Sequence, residues 1–313
     1  MGIPSGWTAE QIPDLSGRVA VVTGANSGLG LATTRALADK GARVLLAVRD
    51  EDKGRAAADA ITAGRPDAAL EVRRVDLADL DSVRAFAGKL HADHGHLDVL
   101  VNNAGLMAPP RRTHSAQGHE VQFAANHLGH FALTGLLLDL LAAGTEPRVV
   151  TVSSPNHRSA SLYFDDLGGE RGYAPMAYYN QSKLANAVFG HQLHRRLTAA
   201  GSPVRSVLAH PGYAATNLQT SSPAGLVRFL FGRLLLPLAQ SADRGALPTL
   251  CAATEPGVTG GQFLVPDGIG ELRGAPKAGE PAPRATDEET GRRLWDVSEE
   301  LTGVRYTFPA VAA

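Results

Sequence analysis

The chain has 313 residues, 44% of them hydrophobic and 19% charged, with a net charge of −1. This length fits one large α/β domain or two small ones, and the near-zero charge gives no electrostatic case for binding nucleic acid or an anionic membrane. A single cysteine, Cys251, excludes an internal disulfide and suits a reducing compartment such as the cytoplasm.

In chain order, residues 1–15 carry Pro4, Glu10, Pro13 and Asp14 without an apolar run. They read as an arm packed on the domain through Trp7, not as a signal peptide. The apolar run 19–22 has the length of a buried strand and leads into a turn holding Gly24, Gly28 and Gly30. A helical pattern at 31–38 follows and closes at Gly41. Strand, glycine turn and helix make a phosphate cradle: glycine lets the backbone approach a pyrophosphate, and the helix N-terminus offers free N–H groups. The spacing is Gly-x-x-x-Gly-x-Gly rather than Gly-x-Gly-x-x-Gly, so a tight connection without ligand is the competing reading of this stretch alone.

Strands are then predicted at 42–48, 70–75, 97–101, 148–152, 204–209 and 262–265, and helices at 52–63, 79–94, 118–143, 174–200 and 240–253. Alternating helices with strands too apolar for one-sided burial predicts a single-domain α/β fold of Rossmann type, a doubly wound parallel sheet of about seven strands with helices on both faces. The expected layout is an arm at 1–15, a dinucleotide-binding oxidoreductase domain at 16–270 and a C-terminal extension at 271–313. Within the extension, the Pro- and Gly-rich stretch 273–283 reads as a surface excursion and 286–301 as an amphipathic helix. In such a sheet, ligands sit at the carboxyl ends of the strands, where Gly24, Arg49, Asp76, Asn102, Ser154 and Pro211 all fall.

Tyr179 and Lys183 are four residues apart in the helix predicted at 174–200, so phenol and ammonium share a face. A nearby cation favours phenolate and lowers the tyrosine pKa, and a phenol so tuned can pass a proton near neutral pH. Alone the pair is common; Ser154 at the end of the preceding strand and the glycine turn upstream give it meaning.

These motifs together resemble the short-chain dehydrogenase/reductase family over about residues 15–263. The matching stretches are Thr23-Gly-Ala-Asn-Ser-Gly-Leu-Gly30, Asp76-Leu77, Asn102-Asn-Ala-Gly105, Asn126, Ser154, Tyr179 with Lys183, and Pro211-Gly212 with Thr216. Asn126-His-Leu-Gly-His-Phe131, Tyr179-Asn-Gln-Ser-Lys-Leu-Ala-Asn186, His210-Pro-Gly-Tyr213 and Phe164-Asp-Asp-Leu167 resemble the retinol dehydrogenase-like branch. The resemblance implies that Tyr179 is the general acid in carbonyl reduction and the base in alcohol oxidation. Ser154, with Ser153 as the alternative, would hold the substrate oxygen, and Asn126 a relay water. Lys183 would bind the nicotinamide ribose. The cofactor would contact Thr23, Gly24, Asn26, Ser27, Gly28, Leu29 and Gly30 at its phosphates. Asp76, Leu77, Asn103, Ala104 and Gly105 would face the adenosine side, and Pro211, Gly212 and Thr216 the nicotinamide side.

NAD-using relatives carry an acid at the end of the second strand; the matching position here is Val48, followed by Arg49. Arginine suits a 2′-phosphate, so NADP(H) is favoured over NAD(H), with Asp50 as the competing reading. His91, His94 and His96 straddle a helix end without further ligands and read as solvated, so no metal is expected; His127 and His130 read as packing. The apolar stretch within 213–238, where the family keeps its substrate lid, reads equally as a core helix or as an apolar substrate wall with peripheral lipid contact. The second alternative makes the substrate a lipophilic carbonyl or alcohol. Rival readings are a light-dependent tetrapyrrole C=C reductase, whose relatives carry more cysteines, and a nucleotide-sensing protein without turnover. Homo-oligomerisation is left open.

Overall fold

The computed structural model describes residues 2–213 and 240–308. Eight strands form one sheet: β1 Val19–Thr23, β2 Arg43–Val48, β3 Leu70–Arg74, β4 Val99–Asn102, β5 Arg148–Val152, β6 Arg205–Ala209, β7 Phe263–Pro266 and β8 Pro276–Gly279, in the order β3-β2-β1-β4-β5-β6-β7-β8. The first seven run parallel, and β8 adds antiparallel to β7. The expected sheet of about seven strands therefore gains an eighth from the stretch read as a surface excursion. Pro276 masked it, yet proline is tolerated at the start of an edge strand, where its missing N–H costs no ladder bond.

Successive side chains of a strand point to opposite faces, and β1 supplies both. Val19 and Val21 join a core with Val83, Phe86 and Leu90 of α3 (Leu80–Asp93), and with Phe131, Phe189 and Trp295. Ala20 and Val22 join the other core, with Leu37 of α1 (Gly28–Asp39), Ala57 of α2 (Glu51–Gly64) and Leu250. Trp7 of the N-terminal arm is fully buried in that second core, and its Nε1 donates to Glu255 Oε2 at 2.9 Å.

The stretch predicted as one helix over 118–143 is broken. A single turn, α4 (Val121–Phe123), runs into a π-helical turn over Ala124–Leu128, then α5 (Gly129–Leu136) and α6 (Leu138–Ala142). The Glu120 carboxylate caps the start by accepting from Phe123 N at 2.7 Å. The long helix α7 (Pro175–Ala199) follows β5, and α8 (Ala242–Thr254) precedes β7. After β8 come α9 (Pro283–Thr286) and α10 (Glu288–Thr302), whose Trp295 meets Phe131 edge-on at 5.1 Å. No helix among the described residues is long and apolar enough to cross a membrane.

Candidate active site

The sheet's order of connection reverses between β1 and β4, and a cleft of about 1160 Å³ opens at the carboxyl ends of the strands there. Small-molecule pockets are usually about 300–1,000 Å³, so this one has room for an extended ligand. At one end the loop from Gly24 to Gly30 forms its floor. A Cβ at Gly30 would lie 2.3 Å from the Gly24 carbonyl and 2.6 Å from Asn103 Nδ2, so only glycine lets loop and helix close this tightly. Asn26, Ser27, Gly28 and Leu29 line the cradle where α1 presents its N-terminus, the geometry that suits a pyrophosphate.

At the end of β2 the side chains divide. Arg49 lines the cleft. Asp50 instead caps α2, accepting from Lys53 N at 3.2 Å, and its other oxygen pairs with Lys53 Nζ at 2.9 Å. Lys53, in the first turn of α2, also lines the cleft. Nothing in the sequence pattern singles out Lys53, since Arg49 lies before α2 and the two share no helix face. Asp76 and Leu77 at the end of β3 and Asn103, Ala104 and Gly105 after β4 complete this wall. Asp76 Oδ1 accepts from Ala78 N at 3.0 Å, which fixes the carboxylate in its own turn.

Two of the expected site residues are bonded within the fold. Thr23 is fully buried and lies behind the cleft. Its hydroxyl oxygen accepts from Asn103 N at 2.9 Å and Ala104 N at 3.0 Å, so it clamps the loop after β4. Asn126, in the π-turn, is also fully buried. Its Oδ1 accepts from Leu106 N at 2.7 Å, and its Nδ2 donates to Leu106 O at 2.9 Å and Ser182 Oγ at 2.8 Å. Through these bonds the Asn126 side chain pins the wall of the cleft. Thr216 lies outside the described residues, as does the predicted lid apart from Tyr213.

At the other end Ser154, Tyr179 and Lys183 come together with Pro211 and Gly212. The neighbouring Ser153 also lines the cleft, but its hydroxyl is spent donating to Lys183 O at 2.8 Å, so the serine hydroxyl beside Tyr179 is that of Ser154. Burial pushes the Tyr179 phenol up to about 12, with the Ser154 hydroxyl pulling the other way. Burial pulls Lys183 down to about 8. Burial therefore outweighs the expected lowering of the tyrosine by the ammonium: Lys183 Nζ lies 5.9 Å from the ring centre and turns to the Val152 carbonyl at 3.3 Å. At neutral pH the pair is a protonated phenol beside an ammonium, a proton donor ready for a developing alkoxide. The cleft wall beyond is formed by Leu106, Met107, Pro109, Val121, Tyr213 and Leu272, mostly apolar.

His91, His94 and His96 each meet a different carboxylate, Asp139 at 3.0 Å, Glu71 at 3.5 Å and Asp98 at 3.5 Å. His127 is buried among Phe123, Phe131 and Phe189, and His130 Nδ1 donates to the Asn126 carbonyl at 2.9 Å.

A reaction that moves a hydride and a proton together needs both ends of such a cleft, and that need defines a nucleotide-dependent oxidoreductase on a doubly wound sheet. The family model for short chain dehydrogenase matches residues 18–226, and the chain belongs to that family, whose members bind NAD(P) and act on alcohol and carbonyl groups. Among relatives it is 40% identical to human retinol dehydrogenase 12 over 297 residues, covering 93% of this chain and 88% of that protein. An uncharacterised Mycobacterium paratuberculosis protein has a similar crystal structure, with a TM-score of 0.81 and 43% identity over 97% of this chain and all of that one. A Beutenbergia cavernae protein, provisionally described as an NAD(P)-dependent gluconate 5-dehydrogenase and solved with NADP at low occupancy, is 27% identical with a TM-score of 0.64, over 80% of this chain and 95% of its own.

Proposed function

We propose that this protein is an NADP(H)-dependent oxidoreductase that passes a hydride between nicotinamide and the carbonyl or carbinol carbon of a lipophilic substrate. The observation that carries the cofactor choice is the division at the end of β2: Arg49 faces the cleft while Asp50 is spent on capping α2. A carboxylate positioned for a ribose 2′-hydroxyl is thereby lost, and Arg49 is the cation facing a 2′-phosphate, with Lys53 beside it in the cleft but paired to Asp50. The glycine floor fits the pyrophosphate for the reason given above. When bound, the cofactor supplies or accepts the hydride.

The chain's own residues do the rest. Ser154 hydrogen-bonds the substrate oxygen, and Tyr179 gives its phenolic proton to that oxygen in reduction or takes one in oxidation. Lys183 holds the nicotinamide ribose and keeps a positive charge near the phenol. The apolar wall formed by Leu106, Met107, Pro109, Val121 and Leu272 supports a lipophilic substrate, and the similarity to retinol dehydrogenase 12 supports testing retinoids first.

The test is a panel of aldehydes, ketones and alcohols that includes retinal, followed by nicotinamide absorbance with both cofactors. NADPH should be preferred. Arg49→Ala should weaken NADPH by about tenfold to a hundredfold, the ~1.5–3 kcal/mol of a charge-assisted bond, and leave NADH nearly unchanged. Equal losses for the two cofactors would sink the assignment of Arg49.

A further inference from the structure

After β7 the chain turns back over the end of the cleft that holds Pro211 and Gly212, and Glu271 stands in that turn. Its φ is +58°, in the left-handed region that non-glycine residues rarely adopt. Its carboxylate joins two loops of the site. Oε1 and Oε2 accept from Arg158 Nη2 at 3.0 and 2.9 Å, and Oε2 also accepts from His210 Nε2 at 3.1 Å. Arg158 lies in the turn Pro155–Ser159 that follows Ser154, and His210 directly precedes Pro211.

The Arg158 pair alone would be a half-exposed ion pair of little weight. The histidine changes that. His210 is fully buried, and its Nδ1 accepts the Gly212 N–H at 2.9 Å. A backbone N–H can only donate, so the ring proton of neutral His210 sits on Nε2, facing Glu271. The carboxylate thus selects the tautomer that lets His210 hold Gly212. The same turn is held by Gln240 Nε2, which donates to Pro211 O at 2.6 Å, and by Leu272 O, which accepts from Tyr213 N at 2.8 Å. Of these three anchors, one depends on the charge of Glu271 and another on the backbone of its neighbour.

We propose that Glu271 is a positioning residue for the nicotinamide half of the cofactor: it fixes the His210 tautomer that holds the Pro211–Gly212 turn and ties that turn to the Ser154 loop through Arg158. This rests on reading the cleft as an NADP(H) site with that turn at its nicotinamide end. Glu271 touches neither reacting atom; it acts through His210.

The experiment titrates NADPH, and separately adenosine 2′,5′-bisphosphate, into the wild type, Glu271→Gln and Glu271→Gly. The bisphosphate fills only the adenosine half, so it should bind all three proteins alike. NADPH should bind both variants severalfold more weakly than the wild type, and its bound nicotinamide fluorescence should be less polarised. Glycine suits the left-handed backbone, so Glu271→Gly removes the carboxylate while keeping the turn, and it separates the side chain's role from the turn's. Wild-type NADPH binding in both variants, or equal weakening of NADPH and the bisphosphate, overturns the inference and leaves the cofactor reading intact. A wild type that binds neither ligand refutes the cofactor reading, and the inference falls with it.

Discussion

Two buried groups at the reacting end of the cleft are displaced in opposite directions by the same cause. Burial disfavours charge, so it raises the Tyr179 phenol to about 12 and lowers the Lys183 ammonium to about 8. The phenol is then fully protonated at physiological pH, which favours the role of proton donor over that of base. Tyr179→Phe keeps the ring and its packing but removes the transferable proton. Reduction should slow by ~10²–10⁴, with NADPH affinity nearly intact, as measured by single-turnover rates beside a fluorescence titration. Lys183 has a more visible titration. Its folded pKa lies below the usual lysine range, so the ammonium is present below about 8 and lost as pH rises through that value. Reduction rate and NADPH affinity should fall together above about pH 8. A profile flat to strongly alkaline pH would show that Lys183 is not the group holding the ribose.

At the scale of elements, the broken helix between β4 and β5 is what shapes the cleft's back wall. A π-turn adds one residue to a helical turn, and such bulges recur at functional sites. Here it carries Asn126 against Leu106, while the next residue but two, Gly129, starts α5. A Cβ at Gly129 would lie 2.2 Å from the Leu77 carbonyl and 2.9 Å from the Leu77 side chain, so α5 reaches the end of β3 only because that Cβ is missing. Gly129→Ala should cost about 1–3 kcal/mol of stability by forcing the helix away, and it should weaken cofactor binding at Leu77 as well. Equilibrium unfolding and an NADPH titration would measure both, and an alanine variant as stable and as tight as the wild type would contradict this account. This break was not read from the sequence, because helical periodicity continues through Phe123, His127, Phe131 and Thr134 without a proline to mark it. The central strands β1, β2, β4 and β5 were legible because each is apolar enough to be buried on both faces, whereas β8, with Lys277 and Ala278 exposed, was not. The residues at the strands' carboxyl ends stood out as the exceptions to that rule, and so Gly24, Arg49, Asp76, Ser154 and Pro211 could be placed in one cleft. What pattern could not supply was direction. Thr23 and Asn126 sit within motifs of the right type, yet their side chains turn back to clamp neighbouring loops. Lys183 keeps the right spacing from Tyr179, but burial outweighs its charge. Glu271 carries no pattern at all, since its two partners come from loops more than sixty and more than a hundred residues away.

For the whole molecule, four buried histidines act as cross-links between elements; one of them, His157, accepts from Ala282 N at 3.1 Å and joins the turn after Ser154 to the segment before α9. His127 Nε2 meets Ser298 Oγ at 2.8 Å and joins the broken helix to α10. His130 Nδ1 donates to the Asn126 carbonyl, so its neutral Nε2 must accept, and the Thr23 hydroxyl reaches it at 2.9 Å, joining the same helix to β1. His210 joins β6 to Glu271. Burial lowers His127 to about 3 and His130 and His210 to about 4. A histidine depressed in the folded state is neutral in both states above its unfolded value near 6.5, and there it leaves stability unchanged. As pH falls below about 6.5 the unfolded chain takes up the proton and the folded chain does not, so stability is lost until the folded values near 4 are reached. Each such group costs about 1.4 kcal/mol per pH unit over that window, so these three cost roughly 4 kcal/mol per unit, and His157, His191 and His194, which burial also lowers, add to the loss. Two groups work against the loss: Glu120, whose carboxyl burial raises, and His91, which burial lowers but the Ala87 carbonyl and Asp139 raise on balance. The net expectation is steep acid lability between pH 6.5 and 4, well before general carboxylate protonation. Denaturant unfolding at several pH values gives the proton uptake directly from the slope. Uptake of roughly three protons near pH 5 is expected. Uptake of less than about one would show that these histidines do not hold the folded state together in their neutral form.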